Sequence, residues 1–455
     1  MKPERRLNFL ELSIVVGLAF WAGVVPALPA ELAAPGVRSK PDADEARLKW
    51  WREARFGLFI HWGPVSLKGT EIGWSRGAQV PTEVYDELYH EFNPTNFNAA
   101  AWVKTAKAAG MKYVVLTTKH HDGFCLWNTR FTDYNIMNTP FHRDATQELA
   151  AACKRQGLVF CAYHSICDWR HPDYPLGSPG GKTEKPNPNL DRYSDYLKHQ
   201  LDELLGNYGP LGILWFDGEW EKPWTAERGV ELYHHLLSRQ PSLIINNRIS
   251  KARNEMAGTS QAGQFSGDYD TPEQQVGKFQ NDRPWESCIT LCNQWAWKPD
   301  DPMKSLQQCL RTLIQCACGD GNLLLNVGPM PTGEIEPRQV QRLQEMGAWL
   351  KKNGASIYAT RGGPFKPGAW GGSTHRGRSI YLHIFDWPGD KLILPPIDKK
   401  IVRASLLTGG KVQVRQTAEG ITLTVPPQYR RTIDTLVELQ LNEPASQIAP
   451  VAIGK

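Results

Sequence analysis

The run Leu211-Gly212-Ile213-Leu214-Trp215-Phe216-Asp217-Gly218-Glu219-Trp220 is apolar until it ends in carboxylates and tryptophans. A run of this length without internal polar residues suits a strand buried on both faces, as in a parallel sheet flanked by helices. Asp217 then stands at the strand's carboxyl end, the rim where barrels of parallel strands do their chemistry because the loops leaving it converge on one mouth. Gly218 allows a sharp turn there, and Trp215 and Trp220 offer flat apolar faces that suit the C–H side of a sugar ring. A carboxylate among aromatics points to glycoside chemistry. The same run is equally compatible with an Asp217 that caps the next helix and tryptophans that fill a core.

Outward from this run the same grammar repeats. Arg55-Phe56-Gly57-Leu58-Phe59-Ile60-His61-Trp62-Gly63 is an apolar strand closed by His61, and Lys112 to Thr118 discharges into Lys119-His120-His121-Asp122-Gly123-Phe124. Gly157 to Tyr163 ends in Tyr163-His164-Ser165, and Ser242 to Asn246 ends in Asn246-Asn247-Arg248. Helical patterns lie between them, from Asn98 to Ala109, Ala145 to Arg155, Asp191 to Leu205 and Glu227 to Arg239. Alternation of this kind predicts a parallel sheet, and the length before about residue 360 fits a (β/α)8-like barrel of roughly 250 residues with insertions. Any one strand-end histidine could be structural, but five polar strand ends are hard to explain by packing.

From Lys251 to Pro284 the pattern dissolves into Gly, Gln, Asp and Pro, which reads as a long irregular insertion forming a binding lip. It contains Gly267-Asp268-Tyr269-Asp270-Thr271-Pro272-Glu273-Gln274; Trp285-Glu286-Ser287 and Trp295-Ala296-Trp297 follow. Amphipathic helices over Lys304 to Cys318 and Pro337 to Asn353 bracket Gly321-Asn322-Leu323-Leu324-Leu325-Asn326-Val327-Gly328-Pro329, a late barrel strand. Past about Phe365, short alternating segments with Gly and Pro turns predict a small antiparallel β-sandwich that braces the barrel. The expected division is residues 46–362 for the barrel and 363–455 for the C-terminal β-sandwich.

The 455 residues include 17 Trp, a mild pointer to carbohydrate, and a net charge of +5 without a basic cluster, which gives no reason to expect nucleic acid. Lys2, Arg5 and Arg6 precede an apolar run from Leu12 to Val25 and then small residues and prolines. This is the pattern of a signal peptide over residues 1–30, followed by a linker over 31–45. The run falls short of the roughly 20 residues of a membrane span, so export to a periplasm or the exterior is expected, with no stable membrane anchor. Nine cysteines, an odd number scattered through apolar segments, read as buried small side chains rather than a disulfide framework.

Four of these stretches together resemble glycoside hydrolase family 29, the α-L-fucosidases, over nearly the whole mature chain: Phe56 to Gly63, Lys119 to Phe124, Trp215-Phe216-Asp217-Gly218, and Gly321 to Pro329. The resemblance implies a retaining, exo-acting glycosidase with a (β/α)8-like barrel and a C-terminal β-sandwich, a fucosylated oligosaccharide or glycoconjugate as substrate, and no metal or organic cofactor. It places the nucleophile on Asp217 and sugar-binding side chains on His61, His120, His121, Tyr163, Trp215 and Arg248. The acid/base falls on Glu273, with Glu286 second. Trp295 flanks the sugar's methyl group. Glu71 and Trp74 correspond to a hydroxyl acceptor and stacking partner that are adjacent in the family and separated here by Ile72 and Gly73.

Two other readings use the same residues. One is a metal-dependent barrel deacetylase or amidohydrolase with His61, His120, His121 and Asp122 as ligands, although no HxH or HExxH spacing supports it. The other is a protein that binds fucose or galactose on an inactive scaffold. L-Galactose differs from L-fucose only by a hydroxyl at C6, so galactosides enter as related substrates.

Overall fold

Seven strands lie side by side in one parallel sheet: β1 (Phe56–Ile60), β2 (Tyr113–Lys119), β3 (Val159–Ser165), β4 (Ile213–Asp217), β5 (Ile244–Ile245), β6 (Glu286–Thr290) and β7 (Asn322–Val327). Their order is β5-β4-β3-β2-β1-β7-β6, and the computed structural model describes residues 41–453. The helices are α1 (Pro41–Ala54), the short α2 (Thr82–Tyr85), α3 (Ala99–Ala108), α4 (Ala145–Gln156), α5 (Leu190–Tyr208), α6 (Ala226–Arg239), α7 (Leu306–Cys318) and α8 (Pro337–Asn353). Their starts are fixed locally. Asp144, Asn189 and Thr225 cap α4, α5 and α6 through their side chains, and Ser305 and Gln308 form a reciprocal capping box on α7.

The irregular stretch between β5 and β6 corrects the sequence reading of a pure insertion. Part of it is the eighth stave of the barrel. Tyr269 pairs in parallel with Asn246 at the end of β5, while Asp270 and Glu273 pair in parallel with Trp285 and Cys288 on the β6 side. Asn247 donates its amide to the Tyr269 carbonyl at 2.9 Å, and Cys288 donates to the Pro272 carbonyl at 3.0 Å. The pattern hides in the sequence because Pro272 lacks an amide donor and the acids break any apolar run. Glu286-Ser287, which the sequence left outside the strands, opens β6 directly after Trp285.

The barrel interior holds Phe59, Tyr113, Val115, Cys161, Tyr163, Ile213, Trp215, Tyr269 and Leu324, with Trp51 of α1 at the base. Below β7, Asp320 accepts hydrogen bonds from Arg55 at 2.6 Å, Arg52 at 3.2 Å and Arg361 at 2.6 Å.

The remaining strands are β8 (Arg361–Gly362), β9 (Gly371–Arg376), β10 (Ser379–Ile384), β11 (Lys391–Leu394), β12 (Ile401–Leu406), β13 (Gln413–Gln416), β14 (Ile421–Thr424) and β15 (Thr435–Leu441). They form two antiparallel sheets, β12-β15-β10-β9-β8 and β11-β14-β13, over a shared core that includes Ile380, Leu382, Leu392, Leu423 and Val437. β9 escaped the sequence reading because Gly371 and Gly372 blur its alternation. Arg311 of α7 ties this layer to the barrel by donating to the carbonyls of Phe385, Thr432 and Ile433.

All nine cysteines are buried free thiols. The expected signal peptide lies outside the described residues. Among those described, no helix is long and apolar enough to cross a membrane.

Candidate active site

The parallel strands bring their carboxyl ends to one rim, and the polar strand ends meet there. Asp217 is the last residue of β4 and is 9% exposed. Gly218 follows at φ +99°, and a Cβ on it would lie 2.8 Å from the Cys167 sulfur, so the turn beside Asp217 requires glycine. Arg248, just past β5, is the centre of the charge arrangement. Its Nη1 donates to Asp217 Oδ1 at 2.7 Å and its Nη2 to Glu273 Oε2 at 2.7 Å. Thr271 steadies the guanidinium through its hydroxyl at 2.9 Å, and the Trp215 ring lies 4.6 Å from it. One planar fork thus spans two carboxylates that are distant in sequence.

Burial alone pushes the Asp217 carboxyl up, but Arg248, then His121 and Arg253, outweigh it and hold it below its ordinary value. Asp217 is therefore ionised. Its second oxygen accepts from the Tyr163 hydroxyl at 3.3 Å and lies 3.6 Å from His121 Nε2. The histidines are kept neutral by burial, His61 at about 3 and His121 at about 4. His61 Nδ1 sits 2.6 Å from Asn326 Oδ1 of β7, and His121 Nδ1 sits 2.7 Å from Ser165 Oγ of β3. Each contact fixes a ring orientation and leaves Nε2 for another partner. Past the end of β2 the backbone bends, so His120 and His121 lie side by side with centroids 4.1 Å apart, and His120 stacks on Tyr163 at 5.3 Å.

Aromatic rings complete the enclosure. Phe59 is the floor, 4.5 Å from His61 and 5.2 Å from Trp215, and Trp295 faces His61 at 4.8 Å. Glu71 reaches this wall through the backbone: its carboxylate accepts the amides of Trp295 at 2.9 Å, Ala296 at 3.0 Å and Ile72 at 3.1 Å. Trp74 stands further out, 41% exposed and edge-on to His121 at 5.8 Å.

Glu286 is elsewhere. It is fully buried inside the barrel, accepting from Trp51 at 3.1 Å, Trp215 at 3.2 Å and the Tyr113 hydroxyl, and burial pushes it up to about 7 against the lowering effect of those donors. The sequence reading missed Asn326, Ser165 and Thr271 as orienting residues. For Asn326 the signal was there, a polar side chain inside the apolar Leu323–Val327 run. Among the described residues, no group of three or more His, Cys, Asp or Glu side chains is arranged to hold a metal ion.

The sequence matches the alpha-L-fucosidase family over residues 35–355. This chain belongs to the α-L-fucosidase family. An alpha-L-fucosidase of Branchiostoma floridae is 30% identical over 74% of this chain and 79% of its own length, and the tissue alpha-L-fucosidase of Rattus norvegicus is 29% identical over 85% and 87%. Among solved structures, alpha-L-fucosidase isoenzyme 1 from Paenibacillus thiaminolyticus superposes with a TM-score of 0.79 at 36% identity, covering 88% of this chain and all of that one. The α-L-fucosidase of Bacteroides thetaiotaomicron, a family 29 enzyme captured as a trapped covalent intermediate in complex with 2-fluoro-fucosyl fluoride, gives 0.78 at 27% identity, over 89% and 97% of the two chains. The (β/α)8-like barrel with antiparallel sheets behind it is the fold these α-L-fucosidases share with this chain.

Proposed function

We propose that this α-L-fucosidase family member is a retaining, exo-acting hydrolase of terminal α-L-fucosyl residues, with Asp217 as nucleophile and Glu273 as acid/base. The observation that supports the assignment is the shared fork of Arg248, which brings these two carboxyl groups, distant in sequence, to one mouth, as a retaining mechanism that works through two carboxyls requires. Asp217, ionised beside Arg248, attacks the anomeric carbon as Glu273 protonates the departing oxygen. Esterification removes the negative charge of Asp217. The carboxylate form of Glu273, which must then take a proton from water, is left as the anionic partner of Arg248.

Neutral His61, His120 and His121 and the Tyr163 hydroxyl bind the sugar hydroxyls, and Trp215 and Trp295 cover its apolar face and methyl group. Glu71 positions the Trp295 loop and has lone pairs left for a hydroxyl, while Trp74 extends the wall. The basic N-terminus followed by Leu12 to Val25 supports export.

The test uses Asp217→Gly and Glu273→Ala on an aryl α-L-fucoside and on a fucosylated oligosaccharide. Asp217→Gly loses nearly all turnover of both. Glu273→Ala loses about 10²- to 10⁴-fold on the oligosaccharide and far less on the activated aryl glycoside. NMR of the first-released sugar shows the α-anomer. Wild-type rates in both variants, or release of the β-anomer, would end the proposal.

A further inference from the structure

Among the described residues, Trp74 and Trp220 are the exposed tryptophans, at 41% and 39%, and they are neighbours. Their rings are 6.2 Å apart with 15° between planes, and each meets His121 edge-on, at 5.8 Å and 5.3 Å. They therefore continue the sugar pocket outward past the histidine.

Both indoles are braced from behind. The Arg253 guanidinium lies 5.9 Å from the Trp220 ring and is fixed by Glu219 at 2.5 Å, in an ion pair whose side chains are 7% and 3% exposed. Trp74 packs edge-on against Trp169 at 5.4 Å, and the Trp169 indole donates to Glu221 at 2.8 Å. Buried charge pairs are costly to assemble, and here one holds an aromatic face in solvent at the lip of the nucleophile's own loop. A rigid aromatic face so held loses little entropy on binding.

We propose that Trp74 and Trp220 form the aglycone platform, on which the hexopyranose that carries the fucose lays its C–H face. The inner pocket, closed by His61, Tyr163, Trp215 and Trp295, accounts for the fucosyl ring. The ring bonded to it leaves past His121 and meets these indoles. The buried Glu219–Arg253 pair presents no net charge at this surface, which fits a neutral sugar rather than an acidic or basic group. This inference rests on the fucosidase reading above.

The experiment compares kcat/KM for α-L-fucosyl fluoride, whose leaving group cannot reach the platform, 4-nitrophenyl α-L-fucoside, and the best substrate in a panel of fucosyl-hexose disaccharides. Trp220→Ala is expected to lose about tenfold more on the disaccharide than on the fluoride, as removal of one aromatic stacking contact would give, with Trp220→Phe recovering most of it. Trp220→Leu, with melting temperatures alongside, shows the same selectivity and serves if Trp220→Ala fails to fold. Equal losses on disaccharide and fluoride would overturn the platform, and an equal loss on the nitrophenyl glycoside would overturn the assignment to a hexose. A wild-type protein inactive on the fluoride would instead sink the fucosidase reading itself.

Discussion

Arg248 holds Glu273 at 2.7 Å with one arm of the guanidinium whose other arm holds Asp217, also at 2.7 Å. Removing it leaves the burial of Asp217 uncompensated, so the carboxyl rises and the acidic limb of the pH profile of kcat/KM moves to higher pH. Arg248→Ala is expected to show this shift together with a fall of roughly 10²-fold at neutral pH. Arg248→Lys keeps a charge without the fork and shifts the limb less. An acidic limb that stays in place in both variants would mean that Arg248 does not set the ionisation of Asp217.

Glu286 separates the two acid/base candidates. Because it accepts from Trp51, Trp215 and Tyr113 inside the barrel, Glu286→Gln should slow aryl and oligosaccharide substrates in the same proportion, unlike Glu273→Ala. Its folded value near 7 lies above the ordinary 4.5. Its contribution to stability is thus full below about 4.5 and is lost as pH rises through 7. The melting-temperature difference between wild type and Glu286→Gln is therefore expected to be largest near pH 4.5 and smaller at pH 8. Leaving-group selectivity in Glu286→Gln would return it to candidacy as the proton donor.

Glu71 accepts from three backbone amides, two of them in the Trp295 loop. An amide side chain offers one acceptor oxygen instead of two and sets an N–H donor against another donor. Glu71→Gln should raise KM for an aryl fucoside several-fold more than it lowers kcat, and steady-state kinetics read this directly. An unchanged KM with a collapsed kcat would place Glu71 in the chemical step instead.

Asp320 is the acid-sensitive joint of the fold. Burial pushes its carboxyl up, but Arg55 and Arg361 outweigh this and hold it at about 2, below the ordinary 3.8. A depressed carboxyl contributes stability above its unfolded value and loses it as pH falls through the folded one. Here that amounts to about 2 kcal/mol, lost between about pH 4 and 2. Asp320→Asn should cost roughly 3–5 kcal/mol at pH 7, because three arginines lose their buried partner. Denaturant melts at pH 7 and pH 3 would show the variant's deficit shrinking with acid, and a deficit independent of pH would refute the role.

The regular staves were legible because each is a short apolar run ending in one polar side chain: His61 after β1, His120 after β2, Asp217 on β4. The eighth stave was not, since Tyr269 to Glu273 carries proline and acids where β-pairing leaves no periodic mark. Glu71 came only from the family resemblance, as a hydroxyl acceptor, and its use as a clamp on the Trp295 amides depends on a loop more than two hundred residues away.

By itself the sequence determined the alternation of strands and helices, and hence which side chains end at one rim, because local burial sets strand and helix periods and parallel strands share a direction. Only the tertiary structure decided which carboxylates meet. The family resemblance ranked Glu273 ahead of Glu286, but residue chemistry alone does not separate two glutamates; pairing with Cys288 carries Glu273 to Arg248 while β6 turns Glu286 into the barrel interior. That choice is made by register between distant segments, and no local pattern encodes it.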